Sequence, residues 1–252
     1  MTATTFREFV TAALLVIGDE ILSGRTKDKN IGYIAEYLTA LGIDLKEVRV
    51  VGDIETEIVG AVNALRERYT YVFTTGGIGP THDDITAECV AKAFGVPIDY
   101  DPRAVEILKA RLAQTGGEMN EARMRMTRIP AGAELVHNKV SAAPGFWLDN
   151  VIVMAGVPSI MQVMLDEVAP KLTTGVRMLS ETVRADCREA DIGTPLGEIA
   201  KANPEVSIGS YPFFDEQRGP NTNVVLRGRD AAKLAAAKGA VEAMLSRLRS
   251  AQ

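Results

Sequence analysis

The sequence predicts an α/β protein in which a mostly parallel β-sheet lies between two layers of helices, followed by a small α+β domain. Two observations lead to this three-layer α/β/α prediction. Uninterrupted apolar runs at 12–17, 71–73 and 151–155 are typical of strands that are covered on both faces. Segments with a helical repeat of apolar residues separate the first three strands, and this β-α-β-α-β-α order with short connections favours a parallel sheet.

The elements of the larger domain follow from periodicity and from turn residues. Gly42 is expected to end the first helix. Pro158 is expected in the first turn of the last helix of the larger domain, a position where proline is favoured. Residues 134–148 are polar and rich in turn residues, which indicates a short hairpin or an ordered loop. The predicted strands are 12–17, 44–51, 71–73 and 151–155, and the predicted helices are 30–41, 55–68, 85–94 and 158–168, with helical candidates at 102–115 and 121–127.

The last part of the chain has a β-α-β-β-α pattern, which predicts a small α+β domain. Its predicted strands are 176–183, 206–211 and 223–227, and its predicted helices are 189–202 and 230–248. Asp230 is a candidate N-cap of the last helix. The boundary is expected at 173–175, so the chain is divided into a tail (1–10), an α/β domain (11–172) and a small α+β domain (175–252).

Composition restricts the functional classes. The chain has 252 residues, is 46% hydrophobic and 24% charged, and carries a formal net charge of −5, which is ordinary for a globular protein and argues against non-specific nucleic-acid binding. No run of 18 apolar residues predicts a transmembrane helix, and the N-terminal sequence does not have the form of a signal peptide. The two cysteines, Cys89 and Cys187, have no CxxC spacing and fit a reducing compartment, so a cytoplasmic location is expected.

The segment 74–84, TTGGIGPTHDD, is the strongest candidate for a binding site. It follows a predicted buried strand and precedes a predicted helix, and its three glycines leave backbone N–H groups free. Free amides at the start of a helix favour a phosphate group. We therefore expect Thr75, Gly76, Gly77 and Gly79 to bind the phosphate of a small molecule.

Carboxylates are predicted to gather beside this loop, because the carboxyl ends of parallel strands share one edge of the sheet. Five such carboxylates would repel one another without a cation, and oxygen ligands suit Mg²⁺ or a similar divalent ion. The candidate metal ligands are Asp19, Glu20, Asp53, Asp83 and Asp84.

A structural role is the alternative for each of these acids. Thr81 and Asp84 have the spacing of a capping box, Asp83 could itself be an N-cap, and Asp53 could cap the helix that begins at Glu55. The convergence of five acids beside a glycine loop is what favours a functional site.

Three segments of the sequence resemble the molybdopterin-binding domain shared by MoaB, MogA and gephyrin, with the closest likeness to the N-terminal part of competence/damage-inducible protein A. These segments are 18–24 (GDEILSG), 74–84 and 143–146 (APGF), and the resemblance covers about 11–172. The end of the chain looks like the small KH-like domain that follows in that protein, with 209–212 (GSYP) as its marker. No counterpart of its C-terminal amidohydrolase domain is seen, so deamidation of nicotinamide mononucleotide is not expected.

The resemblance implies phosphate-anhydride chemistry of one of two kinds. In one branch of the family the loop holds the phosphate of molybdopterin, which is adenylylated with MgATP. In the other, the domain is associated with metal-dependent hydrolysis of ADP-ribose and related dinucleotides. Asp53 and Asp84 match the acids of the family and are the expected catalytic residues, with Mg²⁺ or another divalent metal such as Co²⁺ as cofactor. The matched motifs further imply that Gly18, Ser23, Pro144 and Gly145 contact the pterin or adenine nucleotide.

The sequence departs from the family pattern at three positions: Ala155 replaces a usual proline, Ile160 a usual acid, and Ser141 a common glycine. The choice between the two reactions therefore stays open at this point, as does a non-catalytic carrier of a pterin or nucleotide. An RNA-binding role for the small domain is not favoured, because no GxxG loop lies between its helices. Since relatives are commonly dimers or trimers, a homo-oligomer is expected.

Overall fold

A computed structural model describes residues 9–250, and the chain divides into two compact units, residues 1–175 and 176–252. The predicted boundary was 173–175. Within the described part of the first unit, residues 9–175, there are eight strands and seven α-helices. The strands are β1 (Val10–Ile17), β2 (Ile43–Val51), β3 (Tyr71–Thr75), β4 (Ile98–Tyr100), β5 (Arg128–Pro130), β6 (Glu134–Val136), β7 (Gly145–Leu148) and β8 (Val151–Met154). The helices are α1 (Asp19–Leu22), α2 (Asn30–Ala40), α3 (Glu55–Arg66), α4 (Thr86–Phe94), α5 (Pro102–Thr115), α6 (Glu121–Arg125) and α7 (Pro158–Val168), which continues into a 3₁₀ turn at Ala169–Lys171.

The main sheet of the first unit has six strands in the order β2-β1-β3-β8-β7-β6. The four strands from β2 to β8 are parallel, whereas β7 and β6 are antiparallel to their neighbours. The prediction of a mostly parallel sheet is confirmed. Because β1 lies between β2 and β3, the carboxyl ends of these three strands meet at one edge.

Helices cover both faces of this sheet, as the uninterrupted apolar strands predict. Alternate residues of β1 pack into two hydrophobic clusters, with Ala13, Leu15 and Ile17 in one and Ala12, Leu14 and Val16 in the other. The first cluster includes Ile58 of α3 and Val90 of α4, and the second includes Ile34 of α2 and Met161 of α7. The three-layer α/β/α prediction is therefore confirmed.

Several local predictions need correction. β1 begins at Val10, which is buried and was assigned to the tail; the remaining tail residues 1–8 lie outside the described residues. Of the two alternatives for residues 134–148, a hairpin and an ordered loop, the hairpin is confirmed, and its strands β6 and β7 extend the main sheet. The pair β4–β5 was not predicted, and the helix expected at 121–127 ends at Arg125 so that β5 can pair with β4.

The second unit is an α+β domain with the predicted β-α-β-β-α order. Its elements are β9 (Leu179–Arg184), α8 (Glu189–Ala202), β10 (Ser207–Asp215), β11 (Gly219–Gly228) and α9 (Ala231–Ser250). The three strands form an antiparallel sheet in the order β10-β11-β9, and Ile192, Leu226 and Val241 lie in its core. The side chain of Asp230 accepts hydrogen bonds from the N–H groups of Ala232 and Lys233, so it caps α9 as predicted.

No helix within residues 9–250 combines the length and the apolar character that a membrane span requires.

Candidate functional site

The glycine loop begins at the end of β3, and two of its glycines are required by the backbone. Gly76 has a φ of 104°, and a Cβ added there would lie 2.1 Å from the carbonyl oxygen of Ile17. Gly77 has a φ of 66°, and its Cβ would lie 2.1 Å from Oγ1 of Thr86. The N–H of Gly76 donates to the carbonyl of Met154. The loop therefore crosses the ends of β1 and β8 at a distance that only glycine permits.

Thr86, the first residue of α4, holds the loop in place. Its N–H donates to the carbonyl of Gly77 and its Oγ1 donates to the carbonyl of Gly76, both at 3.0 Å. The threonine is fully buried. The residue before it, Ile85, is the N-cap and offers no side-chain acceptor, so the first amides of α4 have no side-chain cap. The fixed loop thus leads into a helix end that favours an anion.

Asp84 closes a turn within the loop. Its Oδ2 accepts hydrogen bonds from the N–H of Thr81 at 2.8 Å and from the hydroxyl of Thr81 at 2.5 Å. Because α4 begins only at Thr86, this pair does not cap the helix, and the capping-box alternative is wrong. A Cβ at Gly79 would lie 2.6 Å from Oδ2 of Asp84, so the glycine leaves room for the carboxylate.

The ends of β1 and β2 meet through Asp53. The N–H of Asp19 donates to Oδ2 of Asp53 at 3.0 Å, and the N–H of Gly18 donates to the carbonyl of Val51 at the same distance. The N-cap of α3 is Ile54, which accepts no side-chain hydrogen bond. Asp53 therefore joins two strand ends instead of capping the following helix.

The carboxyl group of Asp53 lies in an electrostatically unfavourable position. Removal from water raises its pKa, and the charges of Asp19, Glu20 and Asp83 raise it further, while the N–H of Asp19 acts in the opposite direction. The contribution of Asp19, Glu20 and Asp83 to this shift is expected where strand ends bring acids together. A bound cation would relieve this repulsion.

These acids fit a metal that is shared with a ligand better than a metal held by the protein alone. Across residues 9–250, no group of three or more His, Cys, Asp or Glu side chains is arranged to hold a metal ion. Mg²⁺ is commonly held by one or two carboxylates together with the phosphates of its substrate. Asp53 fits such a role because burial, and after it the charges of neighbouring acids, raise the pKa of its carboxyl, and a bound cation would offset both effects. Asp84 fits less well, because one of its oxygens already accepts two hydrogen bonds.

A cavity of about 550 Å³ opens beside the glycine loop, within the size range of small-molecule and cofactor sites. The loop forms one wall and the segment 155–158 forms another, while Glu20 and Asp84 contribute carboxylates. Its lining residues are Glu20, Thr26, Gly76, Gly77, Ile78, Gly79, Pro80, Asp84, Met126, Asn138, Ser141, Ala143, Ala155, Gly156, Val157, Pro158 and Ile160.

A second cavity of about 220 Å³ shares Glu20, Thr26, Gly156 and Pro158 with the first. Two buried polar residues, Asn30 and Thr75, line it and are 4% and 1% exposed. The Oδ1 of Asn30 and the Oγ1 of Thr75 have no hydrogen-bond partner. Buried polar atoms without partners are uncommon and costly, so this cavity suits a ligand with polar edges.

The structure brings together only part of the predicted site. Thr75, Gly76, Gly77, Gly79, Glu20 and Asp84 line the two cavities, and Asp19, Asp53 and Asp83 do not, although their charges act on one another nearby. Ser23 is exposed at the end of α1 and borders neither cavity.

The remaining predicted contacts lie outside the lining of the two cavities. Gly145 is buried in β7, where a Cβ would lie 2.1 Å from the carbonyl oxygen of Val153, so close packing explains the glycine. Gly18 is buried at the end of β1. Pro144 borders a small cleft that is also lined by Gly77, Ile78 and Gly79 of the glycine loop.

Two lining residues were missed in the sequence. Asn30 opens α2, and its Nδ2 donates to the carbonyl of Gly156 at 2.8 Å. Asn138 organises the loop before β7, since its Oδ1 accepts from the N–H groups of Val140 and Ser141 and its Nδ2 donates to the carbonyl of Ala143. Only Asn138 carried a sequence signal, because asparagine in a turn-rich segment commonly bonds to the backbone a few residues on.

A mixed sheet between two helical layers, with a glycine loop and a cleft at the carboxyl ends of its parallel strands, defines a class of ligand-binding α/β domains. Residues 13–174 match the family model described as "Probable molybdopterin binding domain", and the chain belongs to this family. Residues 177–250 match a second model, described as "FAD synthase, middle domain".

Individual relatives agree with this assignment. A protein of Archaeoglobus fulgidus is 33% identical over 233 residues, which cover 92% of this chain and 97% of that protein. A CinA-like protein of Geobacter metallireducens is 38% identical over 214 residues, or 79% of this chain, and the match spans only about half (52%) of the relative's length. The crystal structure of CinA from Thermoplasma acidophilum, described as a protein of unknown function, matches with a TM-score of 0.60 at 30% identity and covers 66% of this chain and 99% of that one. The resemblance to this family, and to its CinA-like members, is confirmed.

Proposed function

We propose that this protein binds a phosphorylated pterin or an adenine nucleotide at the glycine loop and hydrolyses a phosphate anhydride with the help of a divalent metal ion. The observation that carries the proposal is the cavity of about 550 Å³ whose wall is the loop 76–80 and which Asp84 also borders. ADP-ribose and related dinucleotides are the leading substrates. In ADP-ribose hydrolysis, a water oxygen bonds to one phosphorus and the P–O–P bridge breaks, which gives AMP and ribose 5-phosphate.

Each group of residues in the site would have its own role in binding or catalysis. The amides of Gly77 and Gly79 would bind phosphate oxygens, whereas the N–H of Gly76 already donates to Met154. Thr86 keeps Gly76 and Gly77 in position. Asp53, with its raised pKa, would hold the metal or orient the attacking water from outside the cavity lining, and Asp84 would act from within the lining of the large cavity. Mg²⁺ or Co²⁺, when bound, would neutralise the charge of the reacting phosphates. Asp19, Glu20 and Asp83 would add to the negative field that attracts the cation.

The family descriptions support this class of ligand. One model that the chain matches is described as a probable molybdopterin-binding domain, and the other is named after a synthase of FAD, an adenine dinucleotide. The adjoining cavity of about 220 Å³, where Asn30 and Thr75 have unpartnered polar atoms, would accept the polar edge of a ring such as adenine or a pterin.

Two other functions have specific support. Adenylylation of molybdopterin with MgATP is favoured by the description of the larger family. Non-catalytic binding is favoured because the described part of the chain has no preformed group of three metal-binding side chains.

The deciding experiment incubates the purified protein with ADP-ribose, with FAD, or with molybdopterin plus ATP, each with Mg²⁺, Co²⁺ or EDTA. Chromatography then measures AMP or adenylylated product. Metal-dependent AMP release from ADP-ribose or FAD that is lost in both Asp53→Ala and Asp84→Ala supports the proposal. Hydrolysis that survives Asp84→Ala contradicts the assigned site, and binding without turnover under every metal supports the carrier.

The oligomeric state and the location belong to the same proposal. We expect a homo-oligomer, measured by light scattering during size-exclusion chromatography, and a cytoplasmic location, where such nucleotides are available.

A further inference from the structure

A small cleft borders the glycine loop, and two arginines in different electrostatic states line it. Gly77, Ile78 and Gly79 of the loop line it together with Arg125 and Arg128. Its free volume of about 20 Å³ has room for one or two atoms, not for a ring. The cleft shares Gly77, Ile78, Gly79, Asp84 and Met126 with the large cavity, so a group on the loop can reach both.

One arginine of this cleft is neutralised and the other is not. Arg128 forms an ion pair with Glu88, whose side chain also lines the cleft. Arg125 is partly buried and forms neither a side-chain hydrogen bond nor an ion pair with any residue of the described range 9–250, and its Nε is shielded from solvent without an acceptor. Shielding a cationic donor from water without a hydrogen-bond partner costs free energy. An anionic ligand that accepts a hydrogen bond from this donor would remove that cost.

We propose that Arg125 binds a phosphate oxygen of the ligand that is seated on the glycine loop. This inference rests on the proposed function and deepens it, since it assigns a cationic contact to a site whose large cavity is lined by carboxylates. The loop amides donate to one set of phosphate oxygens, and the guanidinium of Arg125 donates to another. The nearby carboxylate of Asp84 does not prevent this, because its Oδ2 already accepts two hydrogen bonds from Thr81.

The neighbouring Arg123 provides a matched control. It lies in the same short helix, α6, but its guanidinium donates to the carbonyl of Glu118, and it lines none of the described cavities. Replacing Arg123 therefore removes the same charge from the same helix without removing the contact to the loop ligand.

The test measures the binding of ADP, inorganic pyrophosphate and adenosine by calorimetry to the wild-type chain and to Arg125→Met, Arg125→Lys and Arg123→Met. Arg125→Met should lower the affinity for ADP and for pyrophosphate about 10- to 100-fold, as expected for the loss of one charge-assisted hydrogen bond. It should leave the affinity for adenosine unchanged. Arg125→Lys should lie between Arg125→Met and wild type, because lysine keeps the charge but not the planar fork. Arg123→Met should bind like wild type.

A thermal melt separates ligand binding from a structural role. Without ligand, Arg125→Met should melt at the wild-type temperature or above it, because the replacement removes a shielded donor that has no acceptor. A wild-type chain that binds ADP and an Arg125→Met chain that binds it equally well would overturn this inference and leave the proposed function intact. A wild-type chain that binds neither ADP nor pyrophosphate would overturn both. If Arg125→Met does not fold, equal affinities of Arg125→Lys and wild type for pyrophosphate overturn the inference.

Discussion

Asn30 and Gly156 lie 126 positions apart in the sequence, and the Nδ2 of Asn30 donates a hydrogen bond of 2.8 Å to the carbonyl oxygen of Gly156. This bond fixes the start of α2 to the segment that follows β8. A Cβ at Gly156 would in turn lie 3.3 Å from the Cα of Gly76, so the same segment packs against the glycine loop. One buried amide thus supports two walls of the candidate site.

Replacement of this amide should therefore affect both stability and binding. Asn30→Ala leaves the carbonyl of Gly156 without its donor and should lower the free energy of unfolding by about 1–3 kcal/mol. It should also weaken ADP binding. Urea denaturation and calorimetric titration measure the two effects. Asn63→Ala is the control, because Asn63 accepts a hydrogen bond from Arg66 but lines neither cavity. Equal ADP affinity of Asn30→Ala and wild type would argue against a supporting role.

Glycine substitutions should separate backbone strain from simple loss of flexibility. Gly76→Ala places a Cβ 2.1 Å from the carbonyl oxygen of Ile17 at a φ of 104°, so we expect a loss of at least about 2 kcal/mol in the free energy of unfolding. Gly60→Ala is the control in α3, where a Cβ meets nothing within 4 Å, and it should stabilise the protein by about 0.5–1 kcal/mol. Urea denaturation of both variants checks this. A Gly76→Ala chain as stable as wild type would contradict the observed loop conformation.

Local signals in the sequence predicted the layers of the larger unit. The uninterrupted apolar run of β1 indicated a strand covered on both faces, and its alternate residues do pack into two different clusters. The helical repeat of apolar residues in 30–41 predicted α2 with a difference of one residue at its C-terminal end. By contrast, β4 and β5 are only three residues long and pair over about thirty positions, for example Ile98 with Pro130, so no local pattern revealed them.

The parts of the candidate site that depend on backbone chemistry could be predicted from the sequence. The parts that depend on burial could not. The glycine loop could be located because glycine-rich turns between strand and helix are recognisable in a sequence. Whether Asp53 and Asp84 cap helices could not be decided, because the answer depends on α3 and α4 starting after Ile54 and Ile85. Arg125 has no distinguishing neighbours in the sequence, since what sets it apart is a missing partner in three dimensions.

Replacing Asp53 should raise the stability of the fold near neutral pH and lower the proposed activity. Its pKa is raised in the folded chain, so the folded state holds this proton more tightly than the unfolded state does, and the carboxyl destabilises the fold increasingly as the pH rises through that pKa. Asp53→Asn should therefore match wild type in stability near pH 3 and exceed it near pH 7. If the wild-type chain carries out the proposed hydrolysis, the rate of that hydrolysis should be about 10²- to 10⁴-fold lower in Asp53→Asn. Urea denaturation between pH 3 and 7 and AMP release measure the two effects.

Glu57→Gln is the control for this experiment, because Glu57 is an exposed acid in the first turn of α3, the helix that begins two residues after Asp53. It should leave AMP release unchanged, because Glu57 lines neither cavity. An Asp53→Asn chain that is less stable than wild type at pH 7 would contradict the unfavourable environment of the carboxylate.

In the second unit, Arg184 holds the carboxyl of Asp215 in its charged form. The guanidinium lies 2.5 Å from Oδ2 of Asp215, and with the N–H groups of Gln217 and Arg218 it lowers the pKa of Asp215 to about 2. The stabilisation by this carboxylate is thus present above its ordinary pKa near 3.8 and is lost as the pH falls toward 2. An NMR titration should find this low pKa, and Arg184→Met should raise it toward the ordinary value. A pKa near 3.8 in the wild-type chain would show that the pair is not formed.

Cys89 should be unreactive in the folded protein. The thiol is buried in the cluster beneath α4, and burial with the nearby charges of Glu55 and Glu88 raises its pKa to about 12, so only about one molecule in 10⁴ carries the thiolate at pH 8. Cys187 is partly exposed, and its pKa is also raised by burial. In Cys187→Ser, a thiol-specific colorimetric reagent should therefore detect no thiol at pH 8 until urea unfolds the chain, and then one. Reaction of folded Cys187→Ser within minutes would show that α4 opens readily, which would also weaken the case for a rigid glycine loop held by Thr86.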